Sequence, residues 1–251
     1  MNESIKESFK KTRAAGIIAA GALDELVKLV KPGISTGEID KLCYEFLQDH
    51  GAYSAPLFYR GFPKSCCTSV NHVVCHGIPS DKILKEGDIV NVDVTAYKDG
   101  WHGDTSRMFE VGDVSIKAKK LIKTTYESMM KAIEILKENV QLGDIGSTIQ
   151  EYVEAQGFSV VQDFCGHGIG QSFHKEPSVL HYGKKGTGEK IKSGMIFTIE
   201  PMINIGNYQT KTLNDGWTAV TKDKSLSAQF EHTVGITKNG YEIFTQSKKF
   251  S

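Results

Sequence analysis

Lys85-Glu86-Gly87-Asp88-Ile89-Val90-Asn91-Val92-Asp93 has an echo further along the chain, Lys192-Ser193-Gly194-Met195-Ile196-Phe197-Thr198-Ile199-Glu200. Both read K-x-G-x-I-apolar-x-aliphatic-carboxylate. Their later residues alternate with period two, as a half-buried strand should, and both end on an acid. The likeness extends upstream. Adding 106 to a residue number takes Gly37 to Gly143, Ile39 to Ile145, Cys43 to Ile149, Phe46 to Tyr152 and Gly51 to Gly157. A helical pattern from about Ser8 to Lys31 carries Ile17, Ala20, Leu23, Val27 and Val30 on one face, and Lys31-Pro32-Gly33 stops it. A second helix from about Thr36 to His50 ends at Gly51. Two amphipathic stretches can resemble one another by chance, but one offset shared by helices and strands argues against it.

A duplicated helix-helix-strand unit predicts an α+β fold of two halves related by a pseudo-two-fold axis. The halves span about 5–110 and 111–245 of a single catalytic domain, 1–251. Their strands join into one curved antiparallel sheet with four helices on its outer face. The cleft between the halves then receives carboxylates from both sides.

The first hairpin can be read closely. Asp99-Gly100 is a turn signal between Asn91–Lys98 and Trp101–Phe109. A turn centred there pairs position 95 with 104 and 93 with 106. Asp93 and Asp104 then share a face as diagonal neighbours, about 7–8 Å apart at the backbone. Two ionised carboxylates that close repel, and burial adds to the cost, so a cation is the usual remedy. The plainer alternative is an Asp that caps a turn. Glu200 is the repeat-mate of Asp93. Glu231, in Ala228-Gln229-Phe230-Glu231-His232-Thr233-Val234, sits in a further strand, where a glutamate needs either solvent or a partner.

Asp163-Phe164-Cys165-Gly166-His167-Gly168-Ile169-Gly170 places a histidine between glycines, which lets the backbone approach whatever the imidazole touches. The stretch lacks the spacing of a phosphate loop. Four carboxylates and one imidazole suit a pair of divalent ions such as manganese, iron, cobalt or zinc. Two ions about 3.5–4 Å apart can hold a hydroxide and polarise a carbonyl, which is hydrolase chemistry.

The bulk composition agrees with a soluble enzyme. The 251 residues suffice for a full core, with 39% hydrophobic and 24% charged residues. Lys+Arg and Asp+Glu each number 30, so the balance points to neither a nucleic-acid nor a membrane-surface partner. The start, MNESIKESFKKTRAAG, lacks the apolar core of a signal peptide, and the longest apolar stretch, Gly16 to Leu23, is too short to span a bilayer. The expected location is the cytoplasm. The odd set of cysteines (Cys43, Cys66, Cys67, Cys75, Cys165) argues for free thiols. A zinc site from Cys66, Cys67, Cys75 and His76 is conceivable but lacks any C-x-x-C pair.

Taken together, certain landmarks resemble bacterial type I methionine aminopeptidases, metallopeptidases of the pita-bread fold. They are Asn71-His72-Val73-Val74-Cys75-His76-Gly77-Ile78-Pro79, Asn91-Val92-Asp93-Val94-Thr95 and His102-Gly103-Asp104-Thr105-Ser106. Further on come Cys165-Gly166-His167-Gly168-Ile169-Gly170, Phe197-Thr198-Ile199-Glu200-Pro201-Met202 and Leu226-Ser227-Ala228-Gln229-Phe230-Glu231-His232-Thr233. The likeness runs from about Ile5 to Thr245. It implies a hydrolase that removes the N-terminal methionine from nascent proteins and peptides whose second residue is small, using two metals and a metal-bound hydroxide. Such an enzyme meets its substrates near the ribosome and works as a monomer.

The same resemblance implies roles. Asp93, Asp104 and Glu231 would hold one ion, and Asp104 and Glu231 would bridge to a second, which His167 and Glu200 also bind. His76, His174 and Glu200 would be catalytic, with both histidines contacting the scissile peptide. Tyr59, Phe62, Cys67, Phe173 and Trp217 would line the methionine pocket, where aromatic and sulfur groups suit a thioether. On composition alone Trp217 and Phe173 read as core residues. Asn71, Val73 and Ser227 would bind a monovalent cation. Two departures from the family pattern stand out. His72 replaces an acid and is expected to face away from the site; Pro56 replaces a small thiol at the pocket edge. Rival readings are a proline-specific peptidase of the same fold, whose members generally carry a large extra N-terminal domain, and a binding protein or metal-free creatinase-like hydrolase, which the full ligand set disfavours.

Overall fold

The computed structural model describes residues 3–247 and 249. The first half contains α1 (Glu3–Leu26), α2 (Thr36–Asp49) and strands β1 (Tyr53–Ser54), β2 (Cys67–Val70), β3 (Val73–Cys75), β4 (Ile89–Lys98) and β5 (Trp101–Glu110). The second half opens with α3 (Ile116–Glu134) and α4 (Leu142–Ala155), then β6 (Ser159–Val160), β7 (Gly166–Gly168), β8 (Lys175–Val179), β9 (Ile196–Ile199) and β10 (Met202–Asn204). It closes with β11 (Thr210–Thr212), β12 (Ala219–Thr221), β13 (Ser227–Gln229), β14 (Glu231–Thr237) and β15 (Gly240–Ile243). The main sheet runs β1-β4-β5-β14-β9-β7-β8, with β2 also on β4 and β15 also on β14. Its strand pairs are antiparallel. Two three-stranded sheets, β13-β10-β6 and β11-β12-β3, add to it, where the sequence had suggested a single sheet.

The repeat is written in the hydrogen bonds. The Gly37 N–H donates to Ser80 O at 2.7 Å, and the Gly143 N–H donates to Thr187 O at 2.9 Å. Ser35 bridges to Ile83, and Gln141 to Lys190. Ser35 and Glu38 form a full capping box at the start of α2, the Glu38 N–H donating to Ser35 Oγ and the Ser35 N–H to Glu38 Oε2. At α4 the Gln141 N–H donates to Asp144 Oδ2 at 2.9 Å, the equivalent return bond. Each half has its own apolar core. Leu23, Leu26, Ile39, Leu47 and Val92 belong to the first, and Leu121, Ile133, Ile145, Ile149 and Phe197 to the second. Among the described residues no helix is long and apolar enough to cross a membrane.

α1 departs from its sequence reading. It begins earlier and ends at Leu26, and Ile17 and Val27 are exposed. Ala20 and Leu23 are buried as read, and Phe9, Thr12, Ala15, Gly16 and Ala19 complete the buried face. Small residues form the contact because the helix lies directly on the sheet. A Cβ on Gly103 of β5 would fall on the backbone of Gly16, and one on Gly16 would fall on the Phe244 carbonyl. Backbone cannot swing aside as a side chain can. Gly103→Ala is therefore expected to cost at least ~1–3 kcal/mol, the range of an overpacked core, read as a lower urea midpoint at unchanged slope. An unchanged midpoint would show that α1 can lift off the sheet at no cost.

Candidate active site

The β4–β5 hairpin sets the register of the site. Asp99 and Gly100 take φ of 48° and 85°, the left-handed pair a two-residue turn needs. Thr95 then faces Asp104 and Asp93 faces Ser106. Ser106 in turn faces Glu231 on β14, so Asp93, Ser106 and Glu231 form one row across three strands. Asp104 lies in the adjacent row, where the Thr95 hydroxyl donates to its Oδ1 at 2.6 Å and its own N–H donates to Thr233 Oγ1 at 3.0 Å. β14 pairs with β9, His232 opposite Ile199, which brings Glu200 beside Glu231. β9 ends there at Pro201, which has no N–H to continue the ladder.

Glu200 is held on three sides. The Thr198 hydroxyl donates to its Oε1 at 2.8 Å, and the Gln229 amide donates to its Oε2 at 3.3 Å. Its backbone N–H donates to Nε2 of the buried His181 at 3.1 Å. Thr198 also accepts the His167 N–H at 2.9 Å, tying β7 to β9. Glycines flank His167 because the strands crowd there: a Cβ on Gly166 would meet Thr198 O, and one on Gly168 would meet Glu176 O. The close approach is thus between neighbouring strands, not between backbone and the partner of the imidazole as the sequence had suggested. His167 Nδ1 lies 3.1 Å from the Gly168 carbonyl, which can only accept, so Nδ1 carries the proton. Nε2 is left with its lone pair, 3.6 Å from Glu200 Oε1 and 3.8 Å from Asp104 Oδ2.

The electrostatics of this floor are unbalanced. Burial, with repulsion from Asp104, pushes the Glu200 carboxyl up to about 8, and burial pushes Asp104 up to about 7. Asp93 and Glu231 are driven well above the usual carboxylate range by burial and by the other acids. Burial holds His167 down at about 4, so its ring is neutral at pH 7. Among the described residues no lysine or arginine forms an ion pair with any of the four acids. Asp93 Oδ1 and Glu231 Oε1 are buried without a hydrogen-bond partner. Ligand atoms of Asp104, His167 and Glu231 lie within 4.8 Å of one another. Hard oxygens, one imidazole lone pair and no internal counter-charge fit divalent cations.

These acids line a cavity of about 410 Å³. Tyr59, Phe62, Cys67, Phe173 and Trp217 all line it, as do His76 and His174. Phe62 and Trp217 meet edge to face at 5.2 Å, and Tyr59 lies 4.9 Å from Phe173. His76 follows β3 with a φ of 56°, its ring between Phe164 at 5.5 Å and Trp217 at 6.2 Å. His174 Nδ1 meets the Tyr59 hydroxyl at 3.0 Å, and its ring lies tilted 4.1 Å from that of His167. Burial and the neighbouring His167 lower His174 to about 3. Pro56 also lines the cavity, whereas His72 does not and lies among Lys82, Lys211 and Lys224.

Asn71, Val73 and Ser227 sit apart from the cavity. The Ser227 N–H donates to Asn71 O at 2.9 Å, Val73 pairs with Val220, and Ser227 Oγ is buried without a partner. The five cysteines are free thiols. Sequence reasoning missed Thr198, His181 and Gln229. Thr198 was within reach, since it lies two residues before Glu200 on one strand face. Nothing in the sequence marks His181, which becomes meaningful only where the chain folds back against Glu200.

The model of metallopeptidase family M24 matches residues 10–238. The chain is 59% identical to a methionine aminopeptidase of Rickettsia prowazekii (strain Madrid E), over 97% of this chain and 95% of that one. It is 53% identical to a methionine aminopeptidase of Escherichia coli (strain K12), over 96% and 92%. The crystal structure of the Rickettsia prowazekii methionine aminopeptidase superposes with a TM-score of 0.95, covering 96% of this chain and 98% of that one. That of Thermotoga maritima, 40% identical, also gives 0.95, covering 98% of both. The α+β architecture is the pita-bread fold of these relatives.

Proposed function

The chain belongs to metallopeptidase family M24 and to its methionine aminopeptidases, and we propose that it removes the N-terminal methionine from nascent proteins and peptides when the second residue is small. Asp93, Asp104, His167, Glu200 and Glu231 hold two divalent ions in this reading, cobalt, manganese, iron or zinc. The observation that carries it is the floor of the cavity: four buried or half-buried acids and a free imidazole lone pair, with no lysine or arginine paired to the acids among the described residues. When bound, the ions polarise the scissile carbonyl and make water a nucleophile at neutral pH.

The remaining steps belong to side chains. Tyr59, Phe62, Cys67, Phe173 and Trp217 enclose the methionine side chain in an apolar, polarisable wall. With the Tyr59 O–H as donor to His174 Nδ1, Nε2–H of the neutral ring is left to donate to the substrate carbonyl as negative charge develops on it. His76, pressed between Phe164 and Trp217, contacts the scissile peptide from the other wall. Glu200 takes a proton from the attacking water and returns it to the departing amine nitrogen. Pro56 narrows the lip and sets the tolerance for bulky methionine analogues. Asn71, Val73 and Ser227 hold a monovalent cation, for which the unpartnered Ser227 Oγ is a donor. The enzyme acts as a monomer in the cytoplasm, near the ribosome, as one catalytic domain with neither a membrane nor a nucleic-acid partner.

Two comparisons test the substrate. Met-Gly-Met-Met should be cleaved with added manganese or cobalt, and an Xaa-Pro dipeptide should not; the reverse would make this a proline-specific peptidase. Peptides with Gly, Ala, Ser, Thr, Cys, Val or Pro second should lose methionine, and those with Lys, Glu, Leu or Phe second should not. Equal turnover of Met-Ala and Met-Lys peptides would contradict the small-residue rule.

A further inference from the structure

Arg60 is an unbalanced cation at the mouth of the cavity. The other two arginines are paired, Arg13 with Glu242 at 2.5 Å and Arg107 with Asp24 at 3.0 Å. The Arg60 guanidinium has no acidic partner among the described residues, although it lines the cavity and is exposed. It is nevertheless held in place. Its carbon sits 5.3 Å from the centroid of the Tyr59 ring, the ring whose hydroxyl meets His174. The backbone that carries it is unusual: Phe58 and Arg60, neither of them glycine, take φ of 67° and 48°. Strain of this kind in a loop over a site is retained when the loop positions something. Asp163, an acid that also lines the cavity, is not paired with Arg60 and accepts from the Thr210 hydroxyl.

We propose that Arg60 forms a subsite for a carboxylate on the departing side of the substrate, at the third or fourth residue of the peptide. The placement rests on the proposed methionine-removing reaction, with the scissile bond beside His174. The Tyr59 ring lies 5.2 Å from the His174 ring and 5.3 Å from the guanidinium carbon. An extended chain covers about 3.3–3.6 Å per residue, so the two steps together reach at most about three residues past the cleaved bond. A planar guanidinium without a partner in a half-open cleft offers paired N–H donors to a carboxylate. The carboxylate can be an Asp or Glu side chain in a long peptide, or the C-terminal carboxylate of a short one.

The test is a ratio of kcat/KM values, which cancels any general loss of activity in a variant. The substrates are Met-Ala-Asp-Ala amide, Met-Ala-Asn-Ala amide, and Met-Ala-Asn-Ala with a free carboxylate. In the unmodified protein the Asp peptide should exceed the Asn amide on the order of 5-fold at low ionic strength, and 0.5 M salt should erase most of that. The free-carboxylate peptide shows whether the chain terminus is read as well. In Arg60→Gln the Asp/Asn ratio should fall to about 1, and Arg60→Lys should retain part of it. A ratio near 1 in the unmodified protein, or an undiminished ratio in Arg60→Gln, overturns the subsite. Failure to release methionine from any of the three peptides would instead refute the proposed function itself.

Discussion

Asp93→Asn and Glu231→Gln each abolish methionine release, by at least ~10³-fold on the scale of a lost catalytic charge, while the fold survives. Both acids lie in one strand row, half-buried Asp93 and buried Glu231 flanking Ser106, and each leaves a buried oxygen with no partner. The amide has the same shape but lacks the charge that holds a cation. It also relieves repulsion, so the metal-free variants should resist urea better than the metal-free unmodified protein. The pH dependence has a definite sign. Asp104 and Glu200 carry folded-state values of about 7 and about 8, above those of an unfolded chain. Groups raised on folding contribute stability that is full below their unfolded values, about pH 4, and is lost as pH rises through the folded ones. Metal-free protein should therefore weaken progressively between about pH 5 and pH 8, and divalent ions should remove that slope by taking the place of the protons. Circular dichroism melts across this range, with chelator and with manganese, give the comparison. Retained activity in either variant at saturating metal would remove that residue from the ligand set.

His76→Ala and His174→Ala should keep normal metal content and lose ~10²–10³ in turnover, whereas His167→Ala should lose metal first. The geometry distinguishes the three rings. His167 has Nδ1 engaged by the Gly168 carbonyl and its free Nε2 turned toward Asp104 and Glu200. His174 has Nδ1 at the Tyr59 hydroxyl, and His76 has aromatic neighbours on its ring faces and edges. A donor that meets charge only as it develops acts on kcat; a ligand acts on metal affinity. Metal titration beside steady-state kinetics for the three variants separates these effects. If His76→Ala loses metal as readily as His167→Ala, the segment from Asn71 to Pro79 supplies a ligand and the site is wrongly drawn.

Where the sequence was legible, a short-range rule governed the outcome. The β4–β5 register followed from one Asp-Gly turn and a period of two, and α2 ended close to the glycine, Gly51, that was read as its stop. The offset between the halves could be read because each copy had to solve the same packing problem. α1 was misread at Ile17 and Val27, which face solvent, because Ala15, Gly16 and Ala19 take the contact where backbones approach closely. The two small sheets and the hold of His181 on Glu200 depend on contacts far apart in the chain, which no local pattern encodes. Trp217 read as a core residue by composition, yet it is half-buried in the cavity wall, a place that only the folded chain defines.

The central claim is that bound cations at the four-acid floor are what make this chain release methionine. The most direct measurement strips the protein with chelator, then follows methionine release from Met-Gly-Met-Met as manganese is added back. The account predicts no release without the ion, a rise with added metal, and saturation once the site formed by Asp93, Asp104, His167, Glu200 and Glu231 is filled. Full release by the stripped protein in the presence of chelator, or none at any manganese concentration, would contradict it.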